Sequence, residues 1–391
     1  MDIDGIQKYL VEHELDGWLL ADFHARNSVA VELLGLYGTV TRRSFYFIPA
    51  LGQPIGFVHN IEKTKFEGLP GKIVTYSGYR ALEEELAEAI KDYSKLAMEY
   101  SPMGRLPYIG LVDCGTIELV RSMGPEVVSS ADLVAKFQAC LSVEQIATHR
   151  MAAGNLMEIK DAAFELIADS LSGSKKIREY DVVTFIRDQF DKLEMETDDG
   201  PICAVDANAG NPHYEPSAEN SAEIKKGQLV LIDLWAKVKT PRAAFADITH
   251  MAYAGTAAEI PQKYRDIFTV LVEARDEAVT FVRSNLEGRP VHGYEVDNAC
   301  RRVIEKAGYG EYFVHRTGHS ITTSTHGSGP NIDDLETEDR RRLQKGHLFS
   351  VEPGIYMKDC GFRTEIDVLI GHNGAEVTTI PLQNEIRPLF A

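Results

Sequence analysis

The sequence contains no apolar segment long enough to cross a membrane. Its uninterrupted hydrophobic runs fall short of the roughly 18 residues that a transmembrane helix needs. The N-terminal segment MDIDGIQKYLVEHELDGW lacks a basic start followed by an apolar run, so we expect no secretory signal. These absences argue against a membrane or secreted protein and favour a cytoplasmic one.

Cysteine and basic residues are both scarce. Five scattered cysteines in 391 residues predict neither a disulfide framework nor a cysteine-based zinc site. The 41 lysines and arginines are outnumbered by 59 aspartates and glutamates, which leaves a net charge of −18. Because phosphate groups repel an acidic surface, this balance argues against nucleic acids and anionic membranes as partners.

The N-terminal region, 1–140, shows the pattern of an α/β domain. It alternates predicted helices and strands, including buried strands at 17–23 and 108–114. This region carries almost no clustered histidines or acidic pairs. We therefore predict no catalytic chemistry there.

The pattern changes near position 140. From 141 to 391, long helices alternate with strands and hairpins, which indicates an α+β domain. Ser142 and Gln145 have the spacing of a helix capping box, so we expect a long helix to begin there. A further helix is predicted at 337–344.

Acidic residues interrupt apolar strand patterns in this second region. Asp233 lies within QLVLIDLWAK, and Asp247 lies within the next predicted strand, FADITHMAYAG. A buried carboxylate costs several kcal/mol unless something compensates its charge. Two such acids on neighbouring strands repel each other, so a cation between them would stabilise both. Either acid alone could instead point outward or pair with an arginine such as Arg242.

Further carboxylates and a histidine extend the set. Glu352 ends the apolar run of LFSVEPGIY, Glu365 lies in GFRTEIDVLI, and His319 follows a glycine in HRTGHS. Several carboxylates with a single imidazole suit Mn²⁺, Co²⁺ or Zn²⁺. Five ligands exceed the needs of one tetrahedral zinc ion, whereas two metal ions bridged by carboxylates would use them all.

In this order and with these flanks, the residues resemble the metal ligands of the pita-bread metallopeptidases of family M24. That family includes methionine aminopeptidase, aminopeptidase P and prolidase. Supporting motifs are NAGNPHYEP around His213, and RTGHS, VEPGIY and GFRTEID. The region before position 141 looks like the creatinase-type N-terminal domain of aminopeptidase P and prolidase. The resemblance therefore implies an α/β creatinase-like domain at 1–140, followed by an α+β pita-bread catalytic domain at 141–391.

The resemblance also implies the role of each metal ligand. By similarity, Asp233 binds one divalent ion and His319 the other, while Asp247 and Glu365 bridge them. Glu352 binds the second ion and shuttles protons. We expect Mn²⁺, with Co²⁺ and Zn²⁺ as alternatives.

The implied activity is that of a di-metal exopeptidase. It would hydrolyse the bond between an N-terminal residue and proline, with a hydroxide held between the two metal ions as nucleophile. His213 and His326 match the family histidines that contact the substrate and the tetrahedral intermediate, and Arg363 matches an arginine that supports the ligand carboxylates. A small peptide substrate and a homodimer are implied by the same likeness.

Several positions depart from the family pattern. Trp235 stands where a glycine is usual, His250 replaces an arginine, and Gly327 replaces an acid. The spacing from Asp233 to Asp247 is longer than the family usually shows, which predicts an enlarged turn close to the metal pocket.

These departures leave a second enzyme class open. A metal-dependent enzyme of the same fold could act on a non-peptide substrate, as a lyase or an amidinohydrolase-like enzyme. A non-catalytic binding module is the third possibility, but an intact ligand set argues against it. No residue of the sequence can be identified as a clamp for the carboxylate of a dipeptide, so peptide length and the residue before proline stay open.

Overall fold

The computed structural model describes residues 1–36, 38 and 40–391. The chain divides into two compact units, Met1–Gln138 and Ala139–Ala391. Among the described residues, no helix is both long and apolar enough to span a bilayer.

The first unit contains a mixed sheet covered by helices. In its described part six strands pair in the order β4-β3-β2-β1-β5-β6. They are β1 Gly17–Asp22, β2 Ser44–Pro49, β3 Ile55–His59, β4 Lys72–Tyr76, β5 Lys95–Met98 and β6 Glu126–Ser129. The helices are α1 Ile3–Glu12, α2 Ser28–Leu34, α3 Tyr79–Ile90, α4 Cys114–Ser122 and α5 Ala131–Phe137. Strand β1 is buried along its whole length and pairs parallel with β5 and antiparallel with β2.

The prediction of a strand at 108–114 is wrong. Pro107–Ile109 form a single 3₁₀ turn instead. The Asp113 side chain then accepts the backbone N–H of Thr116 and caps α4. A proline therefore begins a turn at the start of the apolar run and a helix cap lies at its end, and the sheet contains the short strand β5 between β1 and β6 instead.

The second unit begins with two helices and continues with strands and a second helix pair. The helices are α6 Val143–Ser172, α7 Glu179–Lys192, α8 Gln262–Asn285 and α9 Gly293–Lys306. The strands are β7 Met195–Glu196, β8 Ile202–Val205, β9 Leu229–Val238, β10 Ala246–Thr256, β11 Ser320–Ile321, β12 Leu348–Val351, β13 Gly354–Tyr356, β14 Gly361–Arg363, β15 Ile366–Gly371, β16 Gly374–Val377 and β17 Arg387–Phe390. The capping box predicted for α6 is confirmed, because Ser142 and Gln145 exchange side-chain and backbone hydrogen bonds.

The hairpin of β9 and β10 is buried on both faces. Leu229 and Leu231 belong to an apolar cluster with α8 and α9, whereas Val230 and Ile232 belong to a cluster with α6 and α7. Successive strand side chains point to opposite faces, so Asp233 shares the face of Leu231. The acid therefore points toward the side of the hairpin on which β14 and β15 also lie.

The prediction of a helix at 337–344 is also wrong. The carboxylate of Asp333 accepts the backbone N–H groups of residues 335–337, and Asp339 forms an ion pair with Arg341. The backbone of the segment pairs with residues 291–294 instead of with itself: Leu343 N–H donates to the Val291 carbonyl oxygen, and the Asp339 carbonyl oxygen accepts the Tyr294 N–H.

A buried histidine links α6 to the second unit's sheets. The Nδ1 atom of His149 lies 2.8 Å from the Phe245 carbonyl oxygen, and Nε2 lies 2.7 Å from Thr378 Oγ1. Burial lowers the pKa of His149 from 6.5 to about 4. The folded state therefore binds this proton less readily than the unfolded chain does.

That difference predicts a pH dependence of stability. The contribution of neutral His149 to stability is complete above pH 6.5 and is lost as the pH falls toward 4, because the unfolded chain takes up the proton first. Between pH 7.5 and pH 5 we expect this histidine to lower the free energy of unfolding by about 2 kcal/mol. His149→Gln, which keeps polar atoms for both contacts, should show a correspondingly smaller loss in urea unfolding curves. Equal losses of unfolding free energy in wild type and His149→Gln would contradict this role of His149.

Candidate metal centre

Two acids on the central hairpin lie on one face. In the register of β9 with β10, Asp233 is opposite Thr249 and Trp235 is opposite Asp247. Opposed residues of an antiparallel pair share a face, so all four side chains point the same way. Asp233 and Asp247 are 7% and 4% exposed, which makes their charges costly without a partner.

The other donors come from the adjoining sheet. Glu352 directly follows β12, and Glu365 directly precedes β15, its pairing partner. The His319 N–H donates to Ser350 Oγ at 2.9 Å, and Ser350 N–H donates to the His319 carbonyl oxygen. The Ser350 hydroxyl also donates to Glu352 at 3.2 Å. One serine therefore orients both the histidine and the glutamate.

Three donors lie close enough to share one ion. Ligand atoms of Asp247, His319 and Glu365 all lie within 4.8 Å of one another. His319 Nε2 is 3.6 Å from Asp247 Oδ2 and 3.5 Å from Glu352 Oε1, spacings that leave room for a cation about 2 Å from each atom. Asp233 and Glu352 line the same cavity but, among described residues, do not belong to this three-residue group.

The charge of the site calls for a cation. Asp233, Asp247, Glu352 and Glu365 face the cavity, whereas Arg363 is the cation in direct contact with one of them, Asp233. Among the described residues, no hydrogen-bond donor reaches the buried Oδ1 atom of Asp247. An unpaired buried carboxylate oxygen is costly, so this donor set fits a bound divalent ion.

The pKa values reflect the same crowding of charge. Burial raises the pKa of Asp247 well above its usual range, and the charges of Asp233 and Glu352 add to it. Burial and then the charge of Asp247 raise the pKa of Glu365 as well. Burial lowers the pKa of His319, so its imidazole is neutral and can offer a lone pair to a metal ion.

A hydrogen-bond network supports these carboxylates. Thr249 Oγ1 lies 3.0 Å from Asp233 Oδ1 and 2.8 Å from Glu365 Oε2, and it accepts a bond from Arg363 Nε at 2.9 Å. Arg363 also donates to Tyr356 Oη at 3.0 Å, which in turn lies 2.7 Å from His315 Nε2. The resemblance predicts a supporting role for Arg363, whereas the sequence analysis assigns no role to Thr249 or Tyr356.

The two predicted catalytic histidines line the same cavity of about 420 Å³. The ring of His326 lies 4.5 Å from that of His319 between centroids, and the electrostatic effect of this neighbouring imidazole, together with burial, lowers the pKa of His326 to about 4. His213 is exposed on the segment after β8. That segment is held by the buried carboxylate of Glu179, which accepts bonds from Tyr214 Oη and three other donors.

The residues that depart from the family pattern lie in different surroundings. Trp235 lines the cavity and donates its indole N–H to Asp198 at 3.0 Å. His250 is buried and points to the opposite face from Thr249, so it does not face the donors. The turn at 239–245 adds no residue to the described lining of the cavity, and its closeness to the metal donors stays a prediction.

Known proteins share this architecture. A dipeptidase from Mycobacterium ulcerans superposes with a TM-score of 0.75 at 20% identity, covering 99% of this chain and 96% of that one. Aminopeptidase P from Escherichia coli superposes with a TM-score of 0.62 at 17% identity, covering 98% and 96%. These likenesses confirm the predicted fold, an α/β N-terminal domain followed by an α+β pita-bread domain.

Sequence comparison gives the family. An Xaa-Pro dipeptidase from Lactobacillus delbrueckii subsp. lactis is 25% identical over 406 aligned positions, covering 98% of this chain and 100% of the relative. The sequence profile of metallopeptidase family M24 matches residues 153–372, which is more than half of the chain and includes every donor described above. The chain therefore belongs to metallopeptidase family M24.

Proposed function

We propose that the protein is a di-metal exopeptidase that hydrolyses the bond between an N-terminal residue and proline. The observation that carries this proposal is the convergence of the four donor carboxylates with His213, His319 and His326 on one cavity, in a chain of family M24. The Xaa-Pro dipeptidase from Lactobacillus delbrueckii, which aligns along nearly the whole chain, supports the choice of substrate class.

The metal ions would be held by side chains already directed into the cavity. Asp247, His319 and Glu365 form one group of donors, and Asp233 and Glu352 are the remaining candidates. Mn²⁺ fits a set of carboxylates with one imidazole, and Co²⁺ or Zn²⁺ are alternatives. When bound, such ions lower the pKa of a water molecule and polarise the scissile carbonyl.

The chain's own residues supply positioning and proton transfer. Glu352, beside His319, is placed to take a proton from the attacking water and to deliver it to the leaving nitrogen. His326, neutral near pH 7, can donate one hydrogen bond to the developing oxyanion. Thr249 and Arg363 hold Asp233 and Glu365 in place, so the donors need not reorganise during the reaction.

A second activity is favoured by one feature of the pocket wall. Trp235 places an indole directly opposite Asp247 and ties it to Asp198. A bulky wall beside the donors changes the shape available to the substrate. A metal-dependent lyase or amidinohydrolase-like reaction on a non-peptide substrate is therefore the alternative.

Hydrolysis assays distinguish the two activities. Purified protein loaded with Mn²⁺ or Co²⁺ should cleave Xaa-Pro dipeptides or longer Xaa-Pro peptides, whereas Glu365→Ala should cleave none. Preference for two-residue substrates would identify a dipeptidase, and preference for longer ones an aminopeptidase. If the wild-type protein binds two metal ions yet cleaves no peptide of the panel, the peptidase proposal fails and the non-peptide alternative takes its place.

His213 provides a separate test of the catalytic assignment. His213→Ala should lower kcat roughly a hundredfold, because it removes an imidazole that contacts the substrate, while leaving the metal content unchanged. The exposed position of His213, away from the three-donor group, is the reason to expect intact metal binding. Metal analysis beside the kinetic assay checks this, and a parallel loss of metal would show that its role is structural.

A cytoplasmic location and a homodimer stay predictions.

A further inference from the structure

We infer that Asp198 is a positioning residue that holds the segment 322–327, and with it His326, beside the cavity wall formed by Trp235. The inference rests on the proposed function, in which the His326 imidazole donates a hydrogen bond to the developing oxyanion. Asp198 lies between β7 and β8, outside every motif that identifies the metal donors. Its carboxylate nevertheless bonds both to the wall and to the segment that carries His326.

The carboxylate of Asp198 accepts hydrogen bonds from two side chains of the cavity lining. Trp235 donates its indole N–H to Oδ1 at 3.0 Å, and the Thr325 hydroxyl donates to the same oxygen at 3.2 Å, with Oδ2 at 3.3 Å. Thr325 directly precedes His326, and all three of these side chains except that of Asp198 line the cavity. One carboxylate therefore links the wall to the residue beside the imidazole.

Thr325 depends on this acceptor because its side chain is buried. The residue is 3% exposed, so its hydroxyl cannot turn outward to water in its present position. A buried donor without an acceptor is costly, and removal of the carboxylate therefore favours a shift of the segment. Asp198 itself is exposed, so alanine at this position leaves no buried cavity that would destabilise the fold.

The rest of the segment is attached independently of Asp198. Lys237 Nζ donates to the Thr323 carbonyl oxygen at 2.9 Å, and the Phe245 N–H donates to the Thr322 carbonyl oxygen at 2.9 Å. Beyond the imidazole, the N–H of Gly327 donates to the carbonyl oxygen of residue 320 at 2.7 Å. Loss of the Asp198 carboxylate should therefore loosen the segment next to His326 without unfolding it.

A small shift of His326 should affect turnover more than substrate binding. A useful donor lies about 2.7–3.1 Å from the oxyanion, so a displacement of about 1 Å removes most of the bond. Interactions that form only in the transition state change kcat and leave KM nearly unaltered. The bonds of Asp198 go to Trp235 and Thr325, neither of which is a candidate metal ligand, so the metal content should not change.

Kinetic assays on the Mn²⁺-loaded protein test this position. For the Xaa-Pro peptide that wild type cleaves fastest, Asp198→Ala should lower kcat roughly tenfold, with KM within about threefold and the metal content unchanged. Asp198→Asn keeps an oxygen that both donors can reach and should recover most of the lost kcat. Thr325→Val should reproduce the loss, whereas Thr325→Ser, which keeps the hydroxyl, should recover most of it. Asp188→Ala, at an exposed position of α7, is the matched control and should keep the wild-type kcat.

A double-mutant cycle separates positioning of His326 from a general structural effect. In the His326→Ala background, Asp198→Ala should lower kcat by less than about twofold further, because the imidazole that it positions is already gone. An equal loss of kcat in both backgrounds would overturn the inference. So would a parallel loss of metal, or an unchanged kcat in Asp198→Ala.

Two readouts do not depend on turnover. Hydrogen exchange of the amides in 322–327 should be roughly tenfold faster in Asp198→Ala than in wild type, with α8 unchanged. The chain has two tryptophans, of which Trp18 is fully buried, so quenching of fluorescence by acrylamide reports on Trp235 and should increase in the variant. Unchanged exchange and quenching would show that Asp198 does not hold this segment. Absence of any Xaa-Pro cleavage by wild type would instead refute the proposed function, while these two measurements still decide whether Asp198 holds the segment.

Discussion

Glu365→Gln is expected to remove most of the bound divalent metal and to lower Xaa-Pro hydrolysis by roughly three orders of magnitude. The substitution keeps the volume of the side chain and an oxygen for the Thr249 hydroxyl, which lies 2.8 Å from Glu365 Oε2. It removes one of the three grouped donors and its negative charge. Loss of activity would therefore follow from the missing charge rather than from a collapsed pocket.

Stability measurements give this prediction a second readout. In the metal-free protein, burial and the neighbouring charge of Asp247 raise the pKa of Glu365, so the carboxylate destabilises the folded state. We expect the metal-free glutamine variant to unfold at a higher temperature than metal-free wild type. Wild type should gain about 2.7 kcal/mol when free Mn²⁺ is a hundred times its dissociation constant, and the variant should gain far less.

A distant glutamate serves as the control for both readouts. Glu273 is an exposed residue of α8, and Glu273→Gln should keep the metal content, the activity and the Mn²⁺-dependent stabilisation of wild type. Full retention of metal in Glu365→Gln would contradict a ligand role for this glutamate. So would a normal rise in stability on adding Mn²⁺.

The candidate donors could be predicted from sequence because acids within apolar strand patterns are rare. The alternation of strand side chains also places Asp233 and Asp247 on one face once the hairpin register is known. The two acids are separated by an even number of positions through a hairpin with regular pairing, which is consistent with that shared face. His319 can be recognised as a metal ligand only together with the acids, since an isolated histidine in a sequence is rarely a ligand.

The contacts of the supporting residues could not be predicted, because they depend on the tertiary structure. Thr249 and Tyr356 are typical strand residues, and their roles depend on which residue lies opposite them and on where Arg363 extends. Such contacts arise from the tertiary structure and leave no local pattern.

The two wrong elements show how caps and tertiary contacts override the pattern of a segment. The run at 108–114 has the composition of a strand, but Asp113 caps the helix that begins at Cys114. The segment at 337–344 has the charge pattern of a helix, but its backbone pairs with residues 291–294 instead: Leu343 N–H donates to the Val291 carbonyl oxygen, and the Asp339 carbonyl oxygen accepts the Tyr294 N–H. Such partners depend on the tertiary structure and leave no period in the sequence.

Gly318→Ala is the second substitution for which we expect a large effect. A Cβ atom at Gly318 would lie 1.9 Å from the Ser350 carbonyl oxygen and 2.7 Å from its carbonyl carbon. Both contacts are with backbone, which cannot rotate away as a side chain can. The two segments must separate, and we expect a loss of about 2–4 kcal/mol in the free energy of unfolding.

The same separation should disturb the metal centre. Gly318 immediately precedes His319, whose N–H bonds to Ser350 Oγ and whose carbonyl oxygen accepts the Ser350 N–H. Moving this backbone away from Ser350 would shift the imidazole relative to Asp247 and weaken metal binding along with stability. Gly154→Ala is a suitable control, because Gly154 is an exposed helical glycine with no neighbouring atom where an alanine methyl group would lie, and alanine there should add about 0.5–1 kcal/mol. Urea unfolding with metal analysis measures both effects, and wild-type values for Gly318→Ala would show that the close approach of these two segments is not what positions His319.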